Sequence, residues 1–235
     1  MKKYFIFVAI LIIISIPLGI HMLEKRETED LELDEKFTCG SVFLDERDNE
    51  GYITVKIGNQ CWMGENLRYT GNGCLYDENI FSSCFTHTTL WGTEVLYQWR
   101  ALMDGSTEEG SQGICPNDWY IPTDDDFKEL EIYLGMTEEQ VNSNNLGGRG
   151  TNQGKQLKDN INWDGTNTSG FKALPTGARS PNNSLYSLGS AGFWWSSTRD
   201  HNNIWVRSLD SNNKKISRSY IARDFAFSAR CILGK

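Results

Sequence analysis

From Tyr52 to Ile57 the residues alternate, with Ile53, Val55 and Ile57 on one face and Tyr52, Thr54 and Lys56 on the other, which predicts a strand. Gly58-Asn59 then supplies a two-residue turn before Gln60-Cys61-Trp62-Met63, so the first element is read as a hairpin. Between Leu90 and Met103 the bulky residues Leu90, Trp91, Val95, Leu96, Trp99 and Leu102 suggest a short helix or helical turn packed on a core. After Pro122, Thr123 can cap a helix and Asp126 can close a capping box, with Phe127, Leu130 and Leu134 at helical spacing and Gly135 as the stop. Thr137 and Gln140 repeat that box for a second short helix, which Asn144, Asn145 and the glycines beyond them terminate. The remainder reads as strands at Phe193–Ser197, Asn203–Leu209, Lys214–Ser219 and Phe225–Leu233, separated by turn residues such as Ser211-Asn212-Asn213. Helices in the middle and strands at both ends describe an α+β domain and not the alternating order of a doubly wound sheet.

The first forty residues have a different pattern. Lys2 and Lys3 precede an apolar run from Tyr4 that weakens toward Leu23, about the length that spans a hydrocarbon core as a helix. A single N-terminal transmembrane helix over 1–23 is therefore expected. A cleaved signal segment has the same basic start and apolar core, but Pro17 spoils the nearest small-x-small cleavage sites and no cysteine follows for lipid attachment. The lysines ahead of the run place its N-terminus in the cytoplasm and the rest of the chain outside. The expected location is the cell membrane, single-pass, with the C-terminal domain extracytoplasmic, or secretion if the segment is cleaved. Residues 24–38 are rich in Glu and Asp and read as a solvated spacer, leaving 39–235 as one domain.

The formal charge of −8 argues against a nucleic-acid partner, because phosphate binding requires a basic patch that releases counterions. All six cysteines, Cys39, Cys61, Cys74, Cys84, Cys115 and Cys231, lie beyond the apolar run, and an even number in an exported chain suggests disulfides. Their connectivity stays open at this level. No C-x-x-C pair occurs and the three histidines do not cluster with the sulfurs, so structural zinc is not expected.

Candidate chemistry is sparse. Gly148 to Lys155 resembles a phosphate loop superficially, but Arg149 and Gln156 stand where that loop needs Gly and Ser or Thr, so a plain loop is expected. Ser196-Ser197-Thr198 with Asp200 and His201 lacks a nucleophile elbow and reads as a strand end whose hydroxyls satisfy backbone groups. Asp45, Asp48, Asn49 and Glu50 lack calcium-loop spacing and read as a polar turn. No catalytic residue, metal or cofactor is expected.

Val55 to Gln60, Trp62-Met63 and Glu65-Asn66-Leu67 form an opening signature, followed in order by Leu96-Tyr97 with Trp99, Cys115-Pro116 with Trp119, and Ile121-Pro122-Thr123. Gly154-Lys155, Trp163, Gly170-Phe171 with Ala173-Leu174-Pro175, Phe193-Trp194 with Ser196-Ser197-Thr198, and Phe227-Ser228 with Arg230-Cys231 continue the series. In these motifs, over about residues 40 to 233, the chain resembles the Fibrobacter succinogenes major paralogous domain family. Tyr120, Gly64 and Ala226 depart from the family pattern of His, Ala and Gly. The resemblance implies a C-type-lectin-like fold, loop-rich, with short antiparallel strands and two or three short helices. It also implies bridges Cys39 to Cys61, Cys74 to Cys84 and Cys115 to Cys231, which would leave no reactive thiol for chemistry of the formylglycine-generating type.

Trp62, Trp99, Trp119 and Trp194 sit beside apolar residues and are expected in the core. The ligand-binding candidates are Asn182, Asn183, Tyr186, Asn202, Asn203 and Trp205, in or beside loops between the late strands. The function expected is a non-catalytic binding or adhesion module outside the membrane, with a glycan or another surface protein as partner. A purely structural envelope protein and a degenerate enzyme of the formylglycine-generating type are the alternatives.

Overall fold

The computed structural model describes residues 37–71 and 84–234 of the 235-residue chain. The expected anchor at 1–23 and nearly all of the spacer lie outside them. Among the described residues no helix is long and apolar enough to cross a membrane.

The chain forms β1 (Val42–Asp45), β2 (Glu50–Ile57), β3 (Gln60–Met63), β4 (Cys84–Thr89) and β5 (Gly92–Gln98), then the helical turn α1 (Trp99–Leu102). β6 (Trp119–Tyr120), α2 (Asp124–Tyr133), α3 (Glu138–Asn142), β7 (Asn145–Arg149) and α4 (Gln153–Leu157) follow. The last part holds β8 (Ala178–Arg179), β9 (Leu185–Tyr186), β10 (Ala191–Asp200), β11 (Asn203–Asp210), β12 (Ile216–Ala222), β13 (Ala226–Phe227) and β14 (Ile232–Leu233). Among the described residues three sheets result, in the orders β1-β2-β3-β14-β6, β10-β11-β12-β7 and β4-β5-β13-β8-β9, and each pair of these strands is antiparallel. The fold class is α+β.

Local chemistry accounts for the elements anticipated above. Gly58, at φ 63°, takes the first turn position and lets Ile57 face Gln60 across the β2–β3 hairpin. Both capping boxes are present: Thr123 accepts from Asp126 N while the Asp126 carboxylate accepts from Thr123 N, and Thr137 and Gln140 do the same. β2 buries Tyr52 and Thr54 and exposes half of Ile53, so both faces of its alternating pattern find protein neighbours.

Three expectations need correction. Residues 92–98 are the strand β5 and not part of a helix, which is confined to Trp99–Leu102; β5 lies between β4 and β13, burying Glu94 through Tyr97 in succession. A strand buried on both faces has no period to set it apart from a buried helix. Phe225–Leu233 is not one strand, because β13 and β14 belong to different sheets and the chain between them turns inward, with Ser228 N donating to Phe193 O. Gly148–Lys155 is not a plain loop, since β7 leads into it and α4 leaves it; Gly154 is there because a Cβ would stand 2.3 Å from Lys215 O.

Trp62 lies at the centre of the core, its ring 5.2 Å from Phe127 and 5.8 Å from Phe171, which in turn meets Trp194 at 5.9 Å. The expected core tryptophans Trp62, Trp99, Trp119 and Trp194 are all buried. The bridges Cys39–Cys61 and Cys115–Cys231 are formed, and Cys84 is disulfide-bonded, while its expected partner Cys74 lies outside the described residues.

Candidate functional site

Three separate stretches of chain converge on a polar cavity of about 280 Å³. The segment after β3 contributes Glu65, Asn66 and Arg68; the β4–β5 hairpin contributes Trp91, Gly92, Thr93 and Glu94; the loop after α4 contributes Asn162, Lys172 and Leu174. Trp91 follows Leu90 at the hairpin tip, where Thr89 faces Gly92 and Gly92 takes φ 123° in open space. The third stretch is shaped by residues in the left-handed region, Asp164, Asn167, Gly170 and Lys172. Lys172 is held there, at φ 51°, by Asn167 Oδ1, which accepts from its N–H at 2.8 Å, and by Arg230 Nη2, which donates to its carbonyl at 3.1 Å. Such backbone strain persists only where the surroundings enforce it.

The cavity floor is a fixed hydrogen-bond network centred on Asn66. Its Oδ1 accepts from Trp194 Nε1 at 2.9 Å and Arg230 Nε at 3.1 Å, and its Nδ2 donates to Glu94 Oε2 at 3.0 Å and Ser228 Oγ at 3.4 Å. With its amide saturated, Asn66 orients Glu94 and cannot itself take a ligand. Arg230 is 1% exposed, covers the Phe171 ring at 3.9 Å and donates to the carbonyls of Met63, Phe171 and Lys172. Burial pulls its pKa down to about 9, partly offset by Glu94 and Glu65, so it stays charged at neutral pH.

Burial pushes the Glu94 carboxyl above the usual range, against the opposing pull of Asn66, Arg230 and Arg68. Glu65 is more loosely held, with Oε2 3.8 Å from Arg68 Nη2 and Oε1 4.0 Å from Lys172 Nζ. Arg68 itself is committed to Glu50 Oε1 through Nε at 2.9 Å and Nη2 at 2.7 Å. Hydrogen-bonding capacity therefore remains at Glu65, Glu94 and Lys172, around a half-buried tryptophan.

The residues anticipated as ligand contacts lie elsewhere. Asn182, Asn183 and Tyr186 belong to the β8–β9 hairpin, where Asn183 Oδ1 accepts from Arg179 Nη1 at 2.5 Å and the Tyr186 ring meets Phe193 at 5.9 Å and Phe225 at 6.4 Å. Asn202, Asn203 and Trp205 belong to the β10–β11 hairpin of another sheet, and the Trp205 ring is covered by Arg218 at 3.6 Å and edged by Tyr220 at 5.4 Å. None of the six lines the cavity described above. Glu65 and Asn66 stand in the opening signature and Trp91 among the bulky residues of its segment, but nothing local links them to Glu94 or Lys172. A carboxylate heading the apolar run Val95-Leu96-Tyr97 was the one hint.

The other motifs behave as ordinary structure. Ser196 Oγ donates to Trp205 O at 2.7 Å and Ser197 Oγ to Ile121 O at 3.1 Å, while His201 contacts Asp200 at 2.8 Å with its side chain almost fully exposed. Asp45 is buried against Arg47 Nη2 at 2.7 Å. Among the described residues no cluster of His, Cys, Asp or Glu could hold a metal ion.

These features define a disulfide-braced α+β domain, and its bridges fit an extracellular setting. The Fibrobacter succinogenes major domain matches residues 55–233, and the chain belongs to that family. No curated protein and no solved structure matches the chain.

Proposed function

We propose that the chain is a membrane-anchored, extracytoplasmic recognition module with no catalytic role, and that the cavity between Glu65, Glu94 and Lys172 binds a saccharide unit of a glycan. The carrying observation is that three distant segments bring hydrogen-bonding groups with spare capacity around one recess of about 280 Å³ beside Trp91. A few placed polar groups beside an aromatic face are the ordinary make-up of a small-molecule site. A C-type-lectin-like architecture is supported by the pairing of the C-terminal β14 with β3 near the start of the domain, which leaves a long excursion between them. Export is supported by the disulfides and by the basic start and apolar run at 1–23.

A glycan array probed with the full chain tests this reading, beside pull-down from envelope extracts. Binding that Glu65→Ala and Lys172→Ala weaken, while Asn182→Ala and Asn202→Ala do not, is the expected result. Silence of the folded protein in both assays would overturn it.

A further inference from the structure

The charged groups of the cavity are already matched. Arg68 is bonded twice to Glu50, Lys172 lies 4.0 Å from Glu65, and Arg230 is the buried countercharge across Asn66 from Glu94. A charged ligand would add an unmatched charge to a recess where charges are costly to leave uncompensated. An uncharged ligand would not.

What the cavity lacks is a hydrogen-bond donor for Glu94. That residue is 5% exposed, its Oε2 is taken by Asn66 Nδ2, and its Oε1 has no partner among the described residues. Oε1 is open to the cavity, and a ligand that takes the place of solvent there must supply a donor to it. Lys172 Nζ, whose side chain is 40% exposed, presents the complementary donor with only the long contact to Glu65. Hydroxyl groups donate to a carboxylate and accept from an ammonium at once, and Trp91 offers an apolar face for the C–H side of a sugar ring.

We propose that the cavity selects an uncharged saccharide, whose hydroxyls donate to Glu94 Oε1 and accept from Lys172 Nζ, and that it discriminates against amino sugars and uronic acids. This inference rests on the glycan-binding reading above. Ionised Glu94 accepts the stronger, charge-assisted bond, so affinity falls as the pH drops through its raised pKa. Arg230, Arg68 and Lys172 face Glu94 as positive charges and Glu65 as a negative one, and burial outweighs their sum in raising its pKa.

The test is titration of the full chain with neutral methyl hexosides and short neutral oligosaccharides, and with glucosamine and glucuronic acid, at pH 7 and pH 5. Neutral sugars should bind at least about tenfold more tightly than either charged sugar, a ratio that one hydrogen bond to a charged group can supply. Glu94→Gln should weaken neutral-sugar binding by about tenfold and abolish its pH dependence, and Lys172→Met, at a more exposed position, should weaken it several-fold. A charged sugar that binds as tightly as a neutral one, or unchanged affinity in both folded variants, would overturn the inference while leaving the glycan-binding reading in place. Failure of every sugar to bind the folded chain would overturn both.

Discussion

Glu131 Oε1 and Arg207 Nε, 76 positions apart in the chain, meet at 2.6 Å with neither side chain more than 3% exposed. The pair is the centre of a larger buried network. Arg149 donates to both oxygens of Glu131 at 2.9 and 2.7 Å, Arg207 Nη1 reaches Asp124 at 2.7 Å, and Arg218 holds Asp124 through Nε at 2.9 Å and Nη2 at 2.7 Å. Spare guanidinium donors end on the last carbonyls of α3, with Arg149 Nη1 on Val141 O at 2.9 Å. The arginines thereby tie α2, α3 and the β10-β11-β12-β7 sheet together. Removing Glu131 leaves Arg149 buried without its countercharge and Arg207 with Asp124 alone, so Glu131→Ala should cost about 3–5 kcal/mol. Urea unfolding checks it; a loss below about 1 kcal/mol would show that the network tolerates the gap.

Asp124 gives this network a pH signature. Burial pushes its carboxyl up, but hydrogen bonds and charge from Arg218 and Arg207 outweigh burial and hold it well below the usual carboxylate range. A group depressed in the folded state contributes stability above its unfolded pKa, near 4, and loses it as pH falls toward the folded value. Asp45, held by Arg47, is shifted in the same direction. The urea midpoint should therefore fall as pH is lowered from about 5 to about 3, and Asp124→Asn should lie lower throughout with a shallower slope. A midpoint equally steep in both proteins would assign the acid sensitivity to other carboxylates.

Much of this framework is legible locally. A capping box spans four residues, so Thr123-Asp126 and Thr137-Gln140 announce their helices without reference to the rest of the chain, and Gly58-Asn59 does the same for its hairpin. β5 is hidden because burial on both faces removes the period that distinguishes strand from helix. The break between β13 and β14 is hidden too, since only the neighbouring sheets decide that the chain turns inward at Ser228 and Arg230. The cavity is the least legible part. Its lining comes from positions near 65, 92 and 172, and a contact such as Asn66 to Trp194, 128 residues apart, has no pattern in the sequence. The Asn residues of the late loops stand out locally, whereas the recess is lined by residues earlier in the chain, the charged Glu65, Arg68, Glu94 and Lys172 among them.

The bridges differ in the length of chain they close. Cys115–Cys231 joins residues 116 apart and Cys39–Cys61 residues 22 apart. On a chain-entropy argument the long bridge restricts the unfolded ensemble more, by about 4–5 kcal/mol against about 3 kcal/mol. The double change Cys115→Ser with Cys231→Ser should therefore lower unfolding stability more than Cys39→Ser with Cys61→Ser. Guanidinium titrations of the two variants compare them, and the reverse order would show that native contacts around β1 and β3 outweigh loop entropy.

Glu94 should reveal itself by opposite effects on stability and binding. Its folded pKa is raised, so its contribution to stability is fully present below the unfolded value near 4.3 and is lost as pH rises through the folded value. The ionised carboxylate is thus the form that burial disfavours, held against Asn66 and Arg230. Glu94→Gln keeps the shape and an acceptor for Asn66 Nδ2 while removing the charge. Its melting temperature at pH 7 should rise above that of the parent, by about 2–4 °C for each kcal/mol gained, and the difference should shrink as the pH is lowered. A residue placed only for packing would lose stability on the same substitution, so a lower melting temperature at pH 7 would take Glu94 out of the ligand site and return it to the fold.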